Sequence, residues 1–150
     1  MAECNPYRMY KNILVAVDGS DSNKVAVDDA LSIAKEIGAK VTAICVFDIG
    51  SYAAVAQGYG MGDEREYMLE TSKKSLKYVS DKAEQMGVDL ECKVVTGRPA
   101  DAIIEESKNF DLVVCGTLGR TGISRTLMGS VAEKVARMSY CPVLICRQAK

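Results

Sequence analysis

A chain of 150 residues has the length of one domain, and a domain of that size can take roughly 70% of its unfolded surface out of water. Its apolar fraction of 48% and charged fraction of 26% match an ordinary globular protein and exclude a disordered one. Nineteen basic against twenty acidic side chains give a formal net charge of −1 and no general field for nucleic acid, and zero histidines exclude Ser-His-Asp catalysis, His-ligated zinc and imidazole switching.

The apolar pattern alternates between short continuous runs and amphipathic stretches. The run NILVAV at 12–17 reads as a strand, and DGSDSN supplies a turn with capping residues. From Lys24, Ala26, Ala30, Ile33, Ala34 and Ile37 follow helical spacing until Gly38 stops them. KVTAICVFD at 40–48 reads as a second, buried strand. The segment from Ile49 to Gly62 carries four glycines and two tyrosines with only Asp48 and Asp63 flanking it, and is expected to be a ligand lid or a surface excursion. Leu69, Leu76, Val79, Ala83 and Met86 trace a longer helix ending at Gly87. A more alternating strand follows at 90–95, then a short helix opened by GRPA and carrying Ile103 and Ile104. A fourth strand spans 112–115. Ser130 to Met138 forms a helix with Val131, Ala132, Val135 and Ala136 inward, and the last strand runs from Pro142 to Arg147.

Five strands alternating with four helices predict an α/β fold: a single domain over 1–150, core 11–147, built on a doubly wound parallel sheet with helices on both faces. Pro142 costs no ladder bond at a strand start and suits an edge. The six cysteines form no C-x2-C pair, which argues against a zinc ribbon or a thioredoxin-like site. Cys45, Cys115, Cys141 and Cys146 lie in apolar strand-like runs and are expected to be core filler, whereas Cys4 has no assignable role. No apolar run nears the ~20 residues of a bilayer span, and MAECNPYRMYKN has no signal-peptide core. A cytoplasmic protein is expected, with no membrane and no nucleic-acid partner.

In such a sheet ligands bind beyond the C-terminal ends of strands, where strand order reverses. The unusual residues fall there. Asp18-Gly19-Ser20 follows the first strand; Gly116, Gly119, Gly122 and Gly129 follow the fourth, with Arg120 and Arg125 among them and Ser130 opening a helix. Glycines permit positive torsions and close approach of backbone N–H groups to an anion, and a helix start favours phosphate. Spacing alone leaves this reading beside a second one, a Gly-rich turn with a Ser N-cap and two solvated arginines.

GTLGRTGISRTLMGS matches the G-x2-G-x9-G-[ST] phosphate motif, and with KNILVAVDGSDSN, the VFD ending the second strand, VVTGRPADAI and SYCPVLICR the chain resembles the ATP-binding branch of the universal stress protein family from Lys11 to Arg147. The resemblance implies an adenine nucleotide alpha hydrolase-like fold with strand order 3-2-1-4-5. It also implies a nucleotide site in which Ala16 and Val17 contact adenosine and Asp18 accepts hydrogen bonds from the ribose. Val46 would read the adenine edge through its backbone; Gly116, Gly119, Gly129, Ser130 and the Val131 amide would hold the phosphates, with Arg120 in the same loop. For Asp18 an Asx turn is the competing reading, and Val46 can equally be a buried strand residue.

The expected function is an ATP-binding regulatory module of the stress response. Its ligand would be an adenine nucleotide, as ATP alone or with Mg or Mn, and ATP would alter contacts with a protein partner the sequence does not identify. A homodimer would form through Pro142 to Arg147, apolar on both faces at a sheet edge. The alternatives are a slow, metal-assisted ATP-hydrolysing enzyme and an interaction protein with a vestigial pocket. No Walker A pattern occurs, and DGSDS lacks the paired glycines of the ATP pyrophosphatase loop. No histidine or carboxylate pair supplies a general base, so no catalytic residue is assigned.

Overall fold

The computed structural model describes residues 10–48, 50, 64–117 and 128–147. Among them, β1 (Asn12–Ala16), α1 (Lys24–Ile37), β2 (Lys40–Phe47), α2 (Glu64–Met86), β3 (Leu90–Thr96), α3 (Pro99–Glu106), β4 (Leu112–Gly116), α4 (Ser130–Met138) and β5 (Val143–Cys146) follow one another along the chain. All strand pairs are parallel, and the order is β3-β2-β1-β4-β5, as expected.

Side chains of the central strands alternate between two cores. Ile13, Val15, Leu112 and Val114 join Val27, Leu31, Leu76 and Val79 from α1 and α2 on one face of the sheet. Leu14, Ile44, Val113 and Cys115 join Ile103, Ala132 and Val135 from α3 and α4 on the other. This two-sided burial is why β1 and β4 read as unbroken apolar runs: neither face needs a polar side chain. Each fully buried Val, Leu or Ile contributes roughly 1.5–3 kcal/mol through transfer from water.

Helix ends follow local chemistry. Gly38 adopts φ 71°, and its N–H donates to the Ala34 carbonyl, closing α1. Gly87 (φ 70°) follows α2 in the same conformation. Pro99 stands at the start of α3, where no donor is lost, and the preceding Arg98 is extended as proline requires.

Three expectations differ in detail. Leu69 is 56% exposed; the inward face of α2 begins at Ser72 and continues through Ser75, Leu76, Val79 and Ala83. Twenty-three helical residues span about 34 Å, longer than the eight-residue β2 beside them, and the first turn of α2 meets only the end of that strand, where the Tyr67 ring packs edge-on against Phe47. Ala136 is exposed, because α4 covers the margin of the sheet and buries only Ala132 and Val135 fully. In β3 the residues Glu91, Cys92, Lys93 and Val94 are all exposed, as befits the edge opposite β5.

The cysteines divide similarly. Cys45, Cys115 and Cys146 are buried, Cys141 is half-buried, Cys92 is exposed, and all five are free thiols. Cys4 and the segment 51–62 lie outside the described residues.

Candidate functional site

The connections that leave β1 and β4 run to opposite faces of the sheet, through α1 and α4, so the crevice opens where the C-terminal ends of β1 and β4 lie side by side. At the β1 end, Ala16 is half-buried and Val17 buried, and the Val17 N–H donates to the Ile44 carbonyl at 2.9 Å. Asp18 then starts a tightly bonded turn. Its Oδ1 accepts from the Ser20 N–H at 2.8 Å and from the Ser20 hydroxyl at 2.6 Å. The Asx turn weighed for Asp18 is therefore present.

A buried asparagine holds this turn to the strand. The Asn23 amide donates from Nδ2 to the Ala16 carbonyl at 2.8 Å, and its Oδ1 accepts from the Asp18 N–H at 3.3 Å. Both ends of the amide are spent on the turn, so Asn23 makes no side-chain cap to α1. Sequence reasoning missed this residue. Its only signal was residue type, and Asn before a helix suggests a cap. Gly19 completes the turn at φ 80°, where an added Cβ would lie 2.7 Å from the Ser75 Oγ of α2.

Val46 is half-buried, paired with Val95 in the β2–β3 ladder, and packs against the α3–α4 core. Gly116 ends β4 beside Cys146, and the Thr117 N–H donates to the Cys146 carbonyl at 3.2 Å. Gly129 returns to that point: its N–H donates to the Thr117 carbonyl at 2.7 Å. This bond sets the first turn of α4 against the end of β4. Gly129 is the N-cap of α4 and has no side chain to offer, while its carbonyl accepts from the Glu133 N–H at 3.0 Å. The N–H groups of Ser130, Val131 and Ala132 precede the first intrahelical bond and carry the positive end of the helix dipole.

The expected site residues are thus gathered at one end of the sheet, except Gly119 and Arg120, which lie outside the described residues along with Gly122 and Arg125. One physical reason is corrected. Neither Gly116 nor Gly129 has a positive φ, and Gly129 sits at φ −60°, ψ 155°. A special torsion is therefore not what glycine contributes at these two positions.

Two buried thiols flank the crevice. Burial pushes the Cys115 thiol up to about 11. Burial, and then the neighbouring Asp29 carboxylate, push Cys146 up to about 12. Both stay protonated near neutrality and offer no nucleophile. Among the described residues no group of three or more metal-ligating side chains gathers, and no helix is long and apolar enough to cross a membrane.

The model of the universal stress protein family matches residues 9–147. Universal stress protein MJ0531 of Methanocaldococcus jannaschii is 38% identical over 148 residues, covering 97% of this chain and 87% of that protein. The solved structure of the hypothetical protein MJ0577 superposes with a TM-score of 0.80 at 24% identity, over 95% of this chain and 99% of that one. A universal stress protein solved in complex with cAMP superposes with a TM-score of 0.68 at 32% identity, over 95% of this chain and all of the other.

Proposed function

This chain belongs to the universal stress protein family, and from that premise we propose that it is a cytoplasmic, ATP-binding regulatory module working as a homodimer. The observation that carries the reading is the Gly129 to Thr117 hydrogen bond. It brings a helix start with no side-chain cap to the end of β4, next to the Asp18 turn at the end of β1. Bare N–H groups and a helix dipole suit phosphate, and a carboxylate one strand away suits the hydroxyls of a ribose. The cAMP complex of a relative supports an adenine nucleotide as the ligand class.

In this reading Ala16, Val17 and the Val46 backbone receive adenosine, Asp18 the ribose, and Gly116, Gly119, Arg120, Gly129, Ser130 and Val131 the phosphates. The Asn23 amide holds the Asp18 turn against the strand, so the carboxylate is presented by a fixed backbone. Mg or Mn, where present, neutralises charge on the triphosphate. With no poised base or thiolate among the described residues, binding and release do the regulatory work, and a protein partner reads the loaded state. The free thiols of the core suit a reducing compartment.

Isothermal titration with ATP, run on the wild type and on Gly129→Val, tests this. The variant adds a β-branched side chain where phosphate must approach backbone, and ATP binding should be lost while the circular dichroism spectrum is retained. Equal affinity in the two proteins overturns the assignment.

A further inference from the structure

β1 runs further than its pairing with β4. Among the described residues the two strands pair from Ile13 with Leu112 to Val15 with Val114, whereas Val17 still donates its N–H to the Ile44 carbonyl of β2. Successive residues of a strand turn their backbone groups to opposite edges, so Ala16 and Asp18 face the β4 side, beyond the last pair. The Asn23 amide stands there in place of a strand. Its Nδ2 donates to the Ala16 carbonyl at 2.8 Å, and its Oδ1 accepts from the Asp18 N–H at 3.3 Å. One residue of a parallel neighbour would engage that same pair of groups.

We propose that Asn23 and Ser20 are positioning residues that make this crevice select its ligand by the ribose hydroxyls. The inference rests on the nucleotide reading above and narrows it to a ligand class: nucleotides that carry ribose hydroxyls, bound in preference to those that lack them. Asp18 touches the ribose, and the other two residues act through it.

Three neighbours fix the carboxylate before any ligand arrives. Asn23, itself buried, holds the Asp18 backbone to the strand, so β1 and β4 part without leaving these two backbone groups unpaired. The Ser20 N–H at 2.8 Å and the Ser20 hydroxyl at 2.6 Å both reach Oδ1, which sets the torsion of the carboxylate. Behind the turn, a Cβ on Gly19 would stand 3.1 Å from the Ser75 Cα, so α2 keeps the turn from backing away. An oriented acceptor loses little freedom when a hydroxyl donates to it, and the hydrogen bond then counts almost fully toward affinity. A ligand without that hydroxyl leaves the half-buried Asp18 with no donor from the sugar. A site built to receive a hydroxyl rejects such an analogue far more strongly than it would reject a missing methylene.

Isothermal titration of the whole chain with ATP and with 2′,3′-dideoxy-ATP tests this. The wild type should bind ATP about tenfold or more tightly than the dideoxy ligand, the worth of a hydrogen bond to a charged acceptor. Asn23→Ser and Ser20→Ala should each lower that ratio severalfold, by weakening ATP while leaving the dideoxy ligand nearly unchanged. A residue that serves folding alone would weaken both ligands alike. Ser20→Ala removes a single hydroxyl and keeps the N–H, so it carries the test if Asn23→Ser does not fold. A wild type that binds both ligands equally overturns the proposal and leaves the nucleotide reading standing, whereas one that binds neither overturns both. An unchanged ratio in Ser20→Ala, whether both ligands weaken or neither does, overturns the proposal as well.

Discussion

Replacing Gly19 by alanine should destabilise the protein far more than the same change at Gly38, although both glycines have nearly equal torsions. At φ 80° and 71° a side chain costs roughly 1–2 kcal/mol in either place. The stiffer unfolded chain of alanine returns about 0.4–1 kcal/mol of that. At Gly38 nothing lies within 4 Å of the new Cβ, so the net loss should be about 1 kcal/mol. At Gly19 the Cβ would meet Ser75 Oγ at 2.7 Å, its Cα at 3.1 Å and its Cβ at 3.2 Å. The first contact could be relieved by a rotamer change, but the second is backbone, so the turn and α2 must part. Overpacking of that kind costs about 1–3 kcal/mol, bringing the total near 2–4 kcal/mol. Urea unfolding followed by circular dichroism should show a lower midpoint with an unchanged slope, and the melting temperature should fall by about 5–15 °C. Adding Ser75→Ala should recover only part of the loss, because the Cα and Cβ contacts remain. If Gly19→Ala is no worse than Gly38→Ala, the turn does not bear on α2 as described.

The exposed edge of β5 predicts association. Sedimentation velocity should find a dimer at tens of micromolar, Ile145→Pro should leave a monomer, and a wild-type monomer with and without ATP would rule edge pairing out. The thiols predict a labelling order: Cys92 should react with a disulfide reagent at pH 8 well before Cys115 and Cys146, whose raised values keep them protonated until pH approaches about 11 and about 12. Equally rapid modification of Cys115 and Cys146 in the native state would contradict their burial. The sign for stability follows. Because the folded values are raised, this contribution is complete below the unfolded thiol pKa and is lost as pH rises toward them.

The sheet was legible because its central strands are covered twice. Leu14 and Val15 face opposite cores, so no polar residue interrupts the run, and alternation and handedness gave a parallel sheet covered on both faces, whereas the strand order was implied only by the family resemblance. Helix stops were equally plain at Gly38 and Gly87. The crevice was legible at the level of which loops converge. Its bracing was not. Asn23 has the residue type of a cap but serves as a clamp, which depends on where the Ala16 carbonyl points. Gly19 touches Ser75 across a long stretch of intervening chain, and periodicity carries no information about such a contact. Leu69 was misplaced for a similar reason: helical spacing fixes a face but not where the neighbouring sheet ends.

The two margins of the sheet are unlike, and that difference governs how far association can proceed. β5 offers a half-exposed apolar edge, with Leu144 at its surface. β3 instead displays Glu91 and Lys93, strapped to Lys40 at 3.2 Å and to Glu106 at 2.6 Å. Two copies joined through β5 about a two-fold axis would consume both adhesive margins and present only β3 outward. A third copy would then find charged, already paired side chains and no second adhesive edge. Raising the concentration should therefore fill a finite particle and not extend a fibre, since growth needs a sticky surface at each end and the described sheet margins offer one.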